Sequence, residues 1–137
     1  MLEQLNPMFR VLASRPAATP EQVRDVELHF GHIPPDYRSL VGQVTELELQ
    51  HRDGQYIRIW GPLGSKEMDE GYGIRGRIPD AFPIGDDGGG RVIFYHDGAS
   101  GPGLYHVGYG DLDSEDATWI ARDLPSLLGR CSGIEGF

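Results

Sequence analysis

Two carboxylates and a run of glycines separate two extended apolar runs in Ile84-Gly85-Asp86-Asp87-Gly88-Gly89-Gly90-Arg91-Val92-Ile93-Phe94-Tyr95-His96. Glycine reaches backbone angles that other residues adopt only at a cost, and Asp-Gly between apolar runs is a strong hairpin signal. The stretch therefore reads first as a tight connection between strands. A second reading stays open from the residues alone. Glycine lets a ligand approach closely, and paired aspartates can hold a hard cation or a basic partner.

The segments on either side fit an antiparallel framework. Residues 2–13 carry Leu2, Leu5, Met8, Phe9, Val11 and Leu12 at spacings that permit an amphipathic helix started or kinked at Pro7, followed by a linker to Ala18. Thr19-Pro20-Glu21-Gln22 is a helix start: Thr19 can cap, Pro20 suits the first helical position, and Gln22 completes a capping box. Val23, Val26 and Phe30 recur at helical spacing, and Gly31 is placed to end that helix. After Ile33-Pro34-Pro35-Asp36, the residues Tyr37, Leu40, Val41 and Val44 mark a second amphipathic helix, which assigns Tyr37 to the core.

The period then changes to two. Leu47 and Leu49 alternate with Glu46, Glu48 and Gln50, and Ile57 and Ile59 alternate with Tyr56, Arg58 and Trp60. A two-residue Asp53-Gly54 loop would set Gln50 against Ile57. A three-residue loop, Arg52 to Gly54, sets Leu49 against Ile57, Leu47 against Ile59 and Glu48 against Arg58. Register follows the buried face, so the longer loop with a left-handed Gly54 is expected. Residues 61–81 show no clear period beyond one possible helical turn at Lys66–Glu70. Strands are expected at 91–97, 104–107 and 118–120, and a short helix capped by Asp123 and stopped by Gly129. The expected class is α+β: a single domain, a mainly antiparallel twisted sheet with short helices packed on one face. Its expected divisions are an N-terminal helical arm and linker (1–18), the domain proper (19–130) and a short tail (131–137).

Charge narrows the function classes. The 137 residues hold 21 acidic and 12 basic side chains, a net charge of −9 with His neutral. Such a surface repels nucleic acid and anionic membrane and attracts basic partners. Cys131 is the single cysteine, so neither an internal disulfide nor a Cys-based zinc site is available, which fits a reducing, cytoplasmic setting. The first residues lack a basic region and an apolar core, so no signal peptide is expected, and no run approaches the ~20 apolar residues of a membrane span.

No catalytic constellation is legible. His96 and His106 would form a conceivable zinc pair if their strands placed them opposite each other, with Asp97 near, but no third ligand is identifiable. His29 and His32 flank a helix end and read as surface or capping residues. The loop Asp111–Asp116 departs from a calcium-binding EF-hand: Asp116 stands where glycine is required and Arg122 where glutamate is required. Neither Gly-x-Ser-x-Gly nor a phosphate-binding Gly-Lys-Ser/Thr loop occurs, and Asp86 and Asp87 would repel a pyrophosphate. No cofactor is expected.

Three stretches together resemble the SUKH superfamily, which contains the fungal cell-wall-assembly regulator and many bacterial immunity proteins. Glu27-Leu28-His29-Phe30-Gly31 followed by Ile33-Pro34-Pro35-Asp36-Tyr37-Arg38-Ser39-Leu40 is similar to its "helix, Gly, Leu-Pro-x-Asp-Tyr, helix" signature. Ala81 to Gly90 followed by Val92-Ile93-Phe94-Tyr95 is similar to its second signature, and Ala117 to Leu128 to its last strand and helix. The likeness spans roughly 19–129, with 61–81 matching nothing in it. It implies a non-catalytic immunity protein that binds and neutralises a cognate protein toxin, often a nuclease, and the net charge of −9 suits a basic one. The expected interface is acidic: Glu67, Asp69 and Glu70, Asp86 and Asp87, and Asp111, Asp113, Glu115 and Asp116, with Trp60 or the tyrosines as anchors. A regulatory scaffold without a toxin partner is the alternative, and a metal enzyme built on Asp86, Asp87, His96 and His106 is a third reading.

Overall fold

A computed structural model describes residues 2–137. Its strands are β1 (Phe9–Arg15), β2 (Thr45–His51), β3 (Tyr56–Ile59), β4 (Phe82–Asp86), β5 (Arg91–Gly98), β6 (Gly101–Gly108) and β7 (Thr118–Ala121). They form one 7-stranded antiparallel sheet in chain order. The helices are α1 (Pro20–Phe30), α2 (Pro35–Val41), α3 (Pro62–Tyr72), α4 (Ile74–Arg77) and a π-type segment, α5 (Pro125–Gly129). The architecture is α+β with an antiparallel sheet, as expected, but the helices do not all lie on one face: Ile74 of α4 packs on the face opposite α1, α2 and α5.

The local signals act as their chemistry dictates. Thr19 Oγ1 accepts from the Gln22 amide at 3.1 Å, and Gln22 Oε1 accepts from the Thr19 amide at 3.0 Å, closing the capping box of α1. Gly31 ends α1 at φ 82°, where its amide donates to the Glu27 carbonyl. The hairpin joining β2 to β3 takes the longer loop: Leu49 faces Ile57, Leu47 faces Ile59 and Glu48 faces Arg58, with Gly54 at φ 106°.

Two segments differ from expectation. Residues 9–15 form the edge strand β1 rather than part of a helical arm. Phe9, Val11 and Ala13 also alternate, so the same residues fit a strand, of which Phe9 alone is buried. Pairing with β1 instead satisfies the open edge of β2. Residues 62–77 form α3 and α4. The buried positions of α3 include Ser65 and Asp69 rather than an apolar stripe, so it carries little of the apolar period by which helices are recognised.

The sheet carries cores on both faces. On one, Leu47, Leu49, Ile57, Ile59, Phe82, Ile84, Ile93 and Leu104 pack with α1, α2, α5 and Ile134. On the other, Trp60, Ile74, Ile78 and Ala81 pack with Val92, Phe94, Tyr105 and Val107. This second layer spans only the β4–β6 part of the sheet. The side chains of Glu48, Tyr56 and Arg58 on β2 and β3 are only partly buried.

Candidate functional site

The two sequence signatures meet through hydrogen bonds. Asp36 Oδ1 accepts from the Tyr37 amide at 3.1 Å. Its Oδ2 accepts from the Tyr95 hydroxyl on β5 and from the Leu124 amide at 2.9 Å, just before α5. Burial, then the Asp36 charge, pushes the Tyr95 phenol well above the usual range, so it stays protonated and donates. Tyr37 is fully buried, and its hydroxyl donates to the Trp60 carbonyl at 2.8 Å with Ser65 Oγ 3.0 Å away. Burial likewise raises its pKa. The Pro-Asp-Tyr motif is thus a clasp between α2, β5, α5 and the start of α3.

Asp86 and Asp87 brace the turn. Asp86 Oδ1 accepts from the Gly88 amide at 2.9 Å, and its Oδ2 accepts from Trp60 Nε1 at 2.8 Å and lies 3.4 Å from Arg58 Nε. Asp87 Oδ1 accepts from the Gly89 and Arg91 amides at 2.8 and 3.1 Å, and its Oδ2 from Arg91 Nε at 2.7 Å. Burial alone would raise the Asp87 pKa, but the Gly89 amide, the Arg91 amide and the Arg91 guanidinium together hold it below the usual range.

These contacts redistribute the expected interface residues. Asp86 and Asp87 have side chains only 14% and 6% exposed, their oxygens occupied within the turn and by Trp60, Arg58 and Arg91. Asp69 turns inward to Arg75 Nε at 2.9 Å and His29 Nε2 at 2.8 Å, because α3 lays that side against α1. His29 is therefore the partner of a buried carboxylate rather than a surface residue. Trp60, expected as an anchor, is buried beneath the Asp86 turn, while Trp119 on β7 is 40% exposed. Glu67, Glu70, Asp111, Asp113, Glu115 and Asp116 face solvent.

The supposed histidine pair does not meet. The register sets His96 against Gly103 and His106 against Ile93, which places the imidazoles on opposite faces. His96 lies among Phe94 and Tyr105, and His106 stacks on Phe137. Among the described residues no group of three His, Cys, Asp or Glu side chains converges as a metal site would need.

One polar cleft was not foreseen. A cleft of about 500 Å³ opens beside the ends of β2 and β3 and the first turn of α3, lined by Glu46, Glu48, Thr45, Arg58, Arg15 and Gly61 to Leu63 among others. Glu46 holds a backbone φ of 46°, a left-handed conformation that costs a non-glycine residue about 1 kcal/mol. Its Oε1 accepts from the Gly61 amide at 3.0 Å, which fixes the entry to α3. Gly61 is required there: a Cβ would come within 2.8 Å of Thr45 Cβ. Glu48 Oε1 accepts from the Tyr56 hydroxyl at 2.5 Å. Burial and that acceptor bond push the Tyr56 phenol up to about 12. Burial opposes the charge of Arg58, but Asp86, Tyr56, Glu46 and Glu48 outweigh it and raise its pKa. Arg58 also borders a neighbouring hollow of about 490 Å³ against Tyr56, Asp86, Asp87 and Gly88.

No protein-family model matches this sequence, and no curated protein is significantly similar to it. Among the described residues no helix is long and apolar enough to cross a membrane.

Proposed function

We propose that this chain is a non-catalytic protein-binding domain of the SUKH type, acting in the cytoplasm as an immunity protein that neutralises a basic protein toxin. The observation that carries this reading is the one-sided charge of residues 92–121. That run holds Asp97, Asp111, Asp113, Glu115 and Asp116 and no lysine or arginine, and all five acids are exposed. Such a surface steers a basic partner into contact and suits occlusion of a nucleic-acid channel. The clasp at Asp36 and Tyr37 and the braced Asp86-Asp87 turn support the resemblance, since they give its two signatures a structural purpose. Glu67 and Glu70 add exposed charge on α3.

Co-expression with the toxin encoded by the adjacent reading frame tests the proposal. Protection of the cell and a salt-sensitive complex on purification are expected. Absence of both sinks the reading, and recovery of housekeeping proteins without a toxin favours a regulatory scaffold.

A further inference from the structure

We infer that the free edge of β1 docks an extended segment of another protein in which apolar residues alternate with Asp or Glu, an acidic side chain entering the hollow walled by Arg10 and Arg52. The inference stands apart from the toxin-binding reading and names a surface of opposite charge. β1 is the first strand of the sheet and pairs with β2 on one side only. Arg10 faces Gln50, and the Met8 carbonyl accepts from the Arg52 amide at 2.9 Å, so Met8 and Arg10 turn their backbone groups toward β2. Those of Val11 therefore point away from the sheet, just ahead of the first bulge. Among the described residues nothing bonds to them, whereas at the opposite edge Gly133 lies against the Ile120 carbonyl of β7.

The side chains along this edge choose the occupant. Val11 and Leu12 are 48% and 43% exposed. Val11 stands opposite Leu49, on the face that α1, α2 and α5 cover, so apolar side chains of an added strand would pack beside it. Arg10 stands opposite Gln50 on the other face, and its Nη2 donates to Gln50 Oε1 at 3.1 Å. Arg10 and Arg52 both line a hollow of about 480 Å³ with Met8, Gln50 and His51 among others, and among the described residues no acid lines it. Asp53, next to Arg52, lies 3.7 Å from His51 Nδ1. Arg10 and Arg52 are exposed, and among the described residues neither has a carboxylate within ion-pairing distance. Arg15, further along β1, shares its cleft with Glu46 and Glu48, so its charge is offset there. Residues 4–20 contain no acid, so the β1 of a second copy has no carboxylate to offer, and a basic strand is repelled. For an acidic strand, backbone bonds to Val11 give attachment, and the alternating side chains give selectivity.

An NMR titration of the whole protein with a short capped peptide of alternating Val and Glu tests the docking edge; the same peptide with Lys in place of Glu is the control. Amide shifts centred on Phe9 to Leu12 and Arg52, slowed hydrogen exchange at the Val11 amide, and affinity that falls with added salt are expected. The double variant Arg10→Glu, Arg52→Glu is expected to weaken binding about tenfold or more, with a denaturation midpoint near that of the parent. Val11→Pro removes a donor that faces away from β2 and is expected to weaken binding as well. The exchange rate of the Val11 amide in the parent decides the backbone contact whatever the stability of Val11→Pro. No binding of the Glu peptide, equal binding of the Lys peptide, shifts centred away from β1, or unchanged affinity in the charge-reversed variant each overturn the proposal. None of these results bears on toxin protection, so the immunity reading stands or falls separately.

Discussion

The Trp60 indole donates to Asp86 Oδ2 across 2.8 Å, while the Trp60 carbonyl accepts from the Tyr37 hydroxyl at the same distance. One residue outside both sequence signatures therefore joins them. Asp86→Ala leaves the buried indole N–H without its acceptor and frees the Gly88 amide, so a loss of about 2–3 kcal/mol is expected. Asp86→Asn retains an acceptor oxygen and is expected to lose less. Urea denaturation of the two variants measures the difference, and equal losses would count against this account.

The two tryptophans differ in environment, with Trp60 2% and Trp119 40% exposed. Replacing Trp119 with Phe is expected to leave blue-shifted emission that acrylamide quenches poorly. Trp60→Phe is expected to leave the red-shifted, readily quenched component. The opposite pattern would mean that Trp60 is the exposed anchor after all.

Gly85 has no room for a side chain where β4 pairs with β3. A Cβ there would lie 2.0 Å from the Arg58 carbonyl oxygen, on the short ladder that pairs β3 with β4. Backbone cannot yield as a flexible side chain can, so Gly85→Ala is expected to cost about 3 kcal/mol or more. Gly76→Ala, with open space around the added carbon, serves as the control. Its expected effect is neutral to about 1 kcal/mol stabilising. Thermal denaturation separates the two.

His106 gives the fold an acid sensitivity. Burial, then Arg91, holds its pKa below the ordinary value of 6.5. The unfolded chain therefore takes up the proton first. The stabilisation is complete above the unfolded value and is lost as pH falls through the folded one. His106→Phe, which keeps a ring against Phe137, is expected to flatten the decline in stability between neutral pH and about pH 5. Denaturation midpoints at several pH values check this, and an unchanged slope would assign the decline to other groups. Asp87 adds a second decline at lower pH, since its depressed pKa loses its contribution only as the carboxylate protonates.

Much of the framework was readable because its signals are local. The capping box at Thr19 and Gln22 joins neighbouring backbone groups, and the β2–β3 register follows from which alternating face is apolar. The burial of Tyr37 follows from its place on a helical stripe. β1 was misread because residues 9–13 satisfy both helical and strand periods, and only the unpaired edge of β2 decides between them. α3 was legible only as one turn at Lys66–Glu70 because the side it buries is partly polar, with Ser65 bonded to Tyr37 and Asp69 to Arg75 and His29.

The sequence by itself determined the capped start and glycine stop of α1, how its clearest hairpin is paired and that its charge is acidic. These follow from backbone sterics, short-range hydrogen bonds and a sum of charges. Tertiary structure alone decided which acids remain free, which tryptophan is covered and where a cleft forms. Asp69, Asp86 and Asp87 are drawn inward, Trp60 is covered where β3 gives way to α3, and Glu46 and Glu48 are left beside open space. Each outcome depends on partners distant in sequence, and a charge count or a spacing carries no record of them.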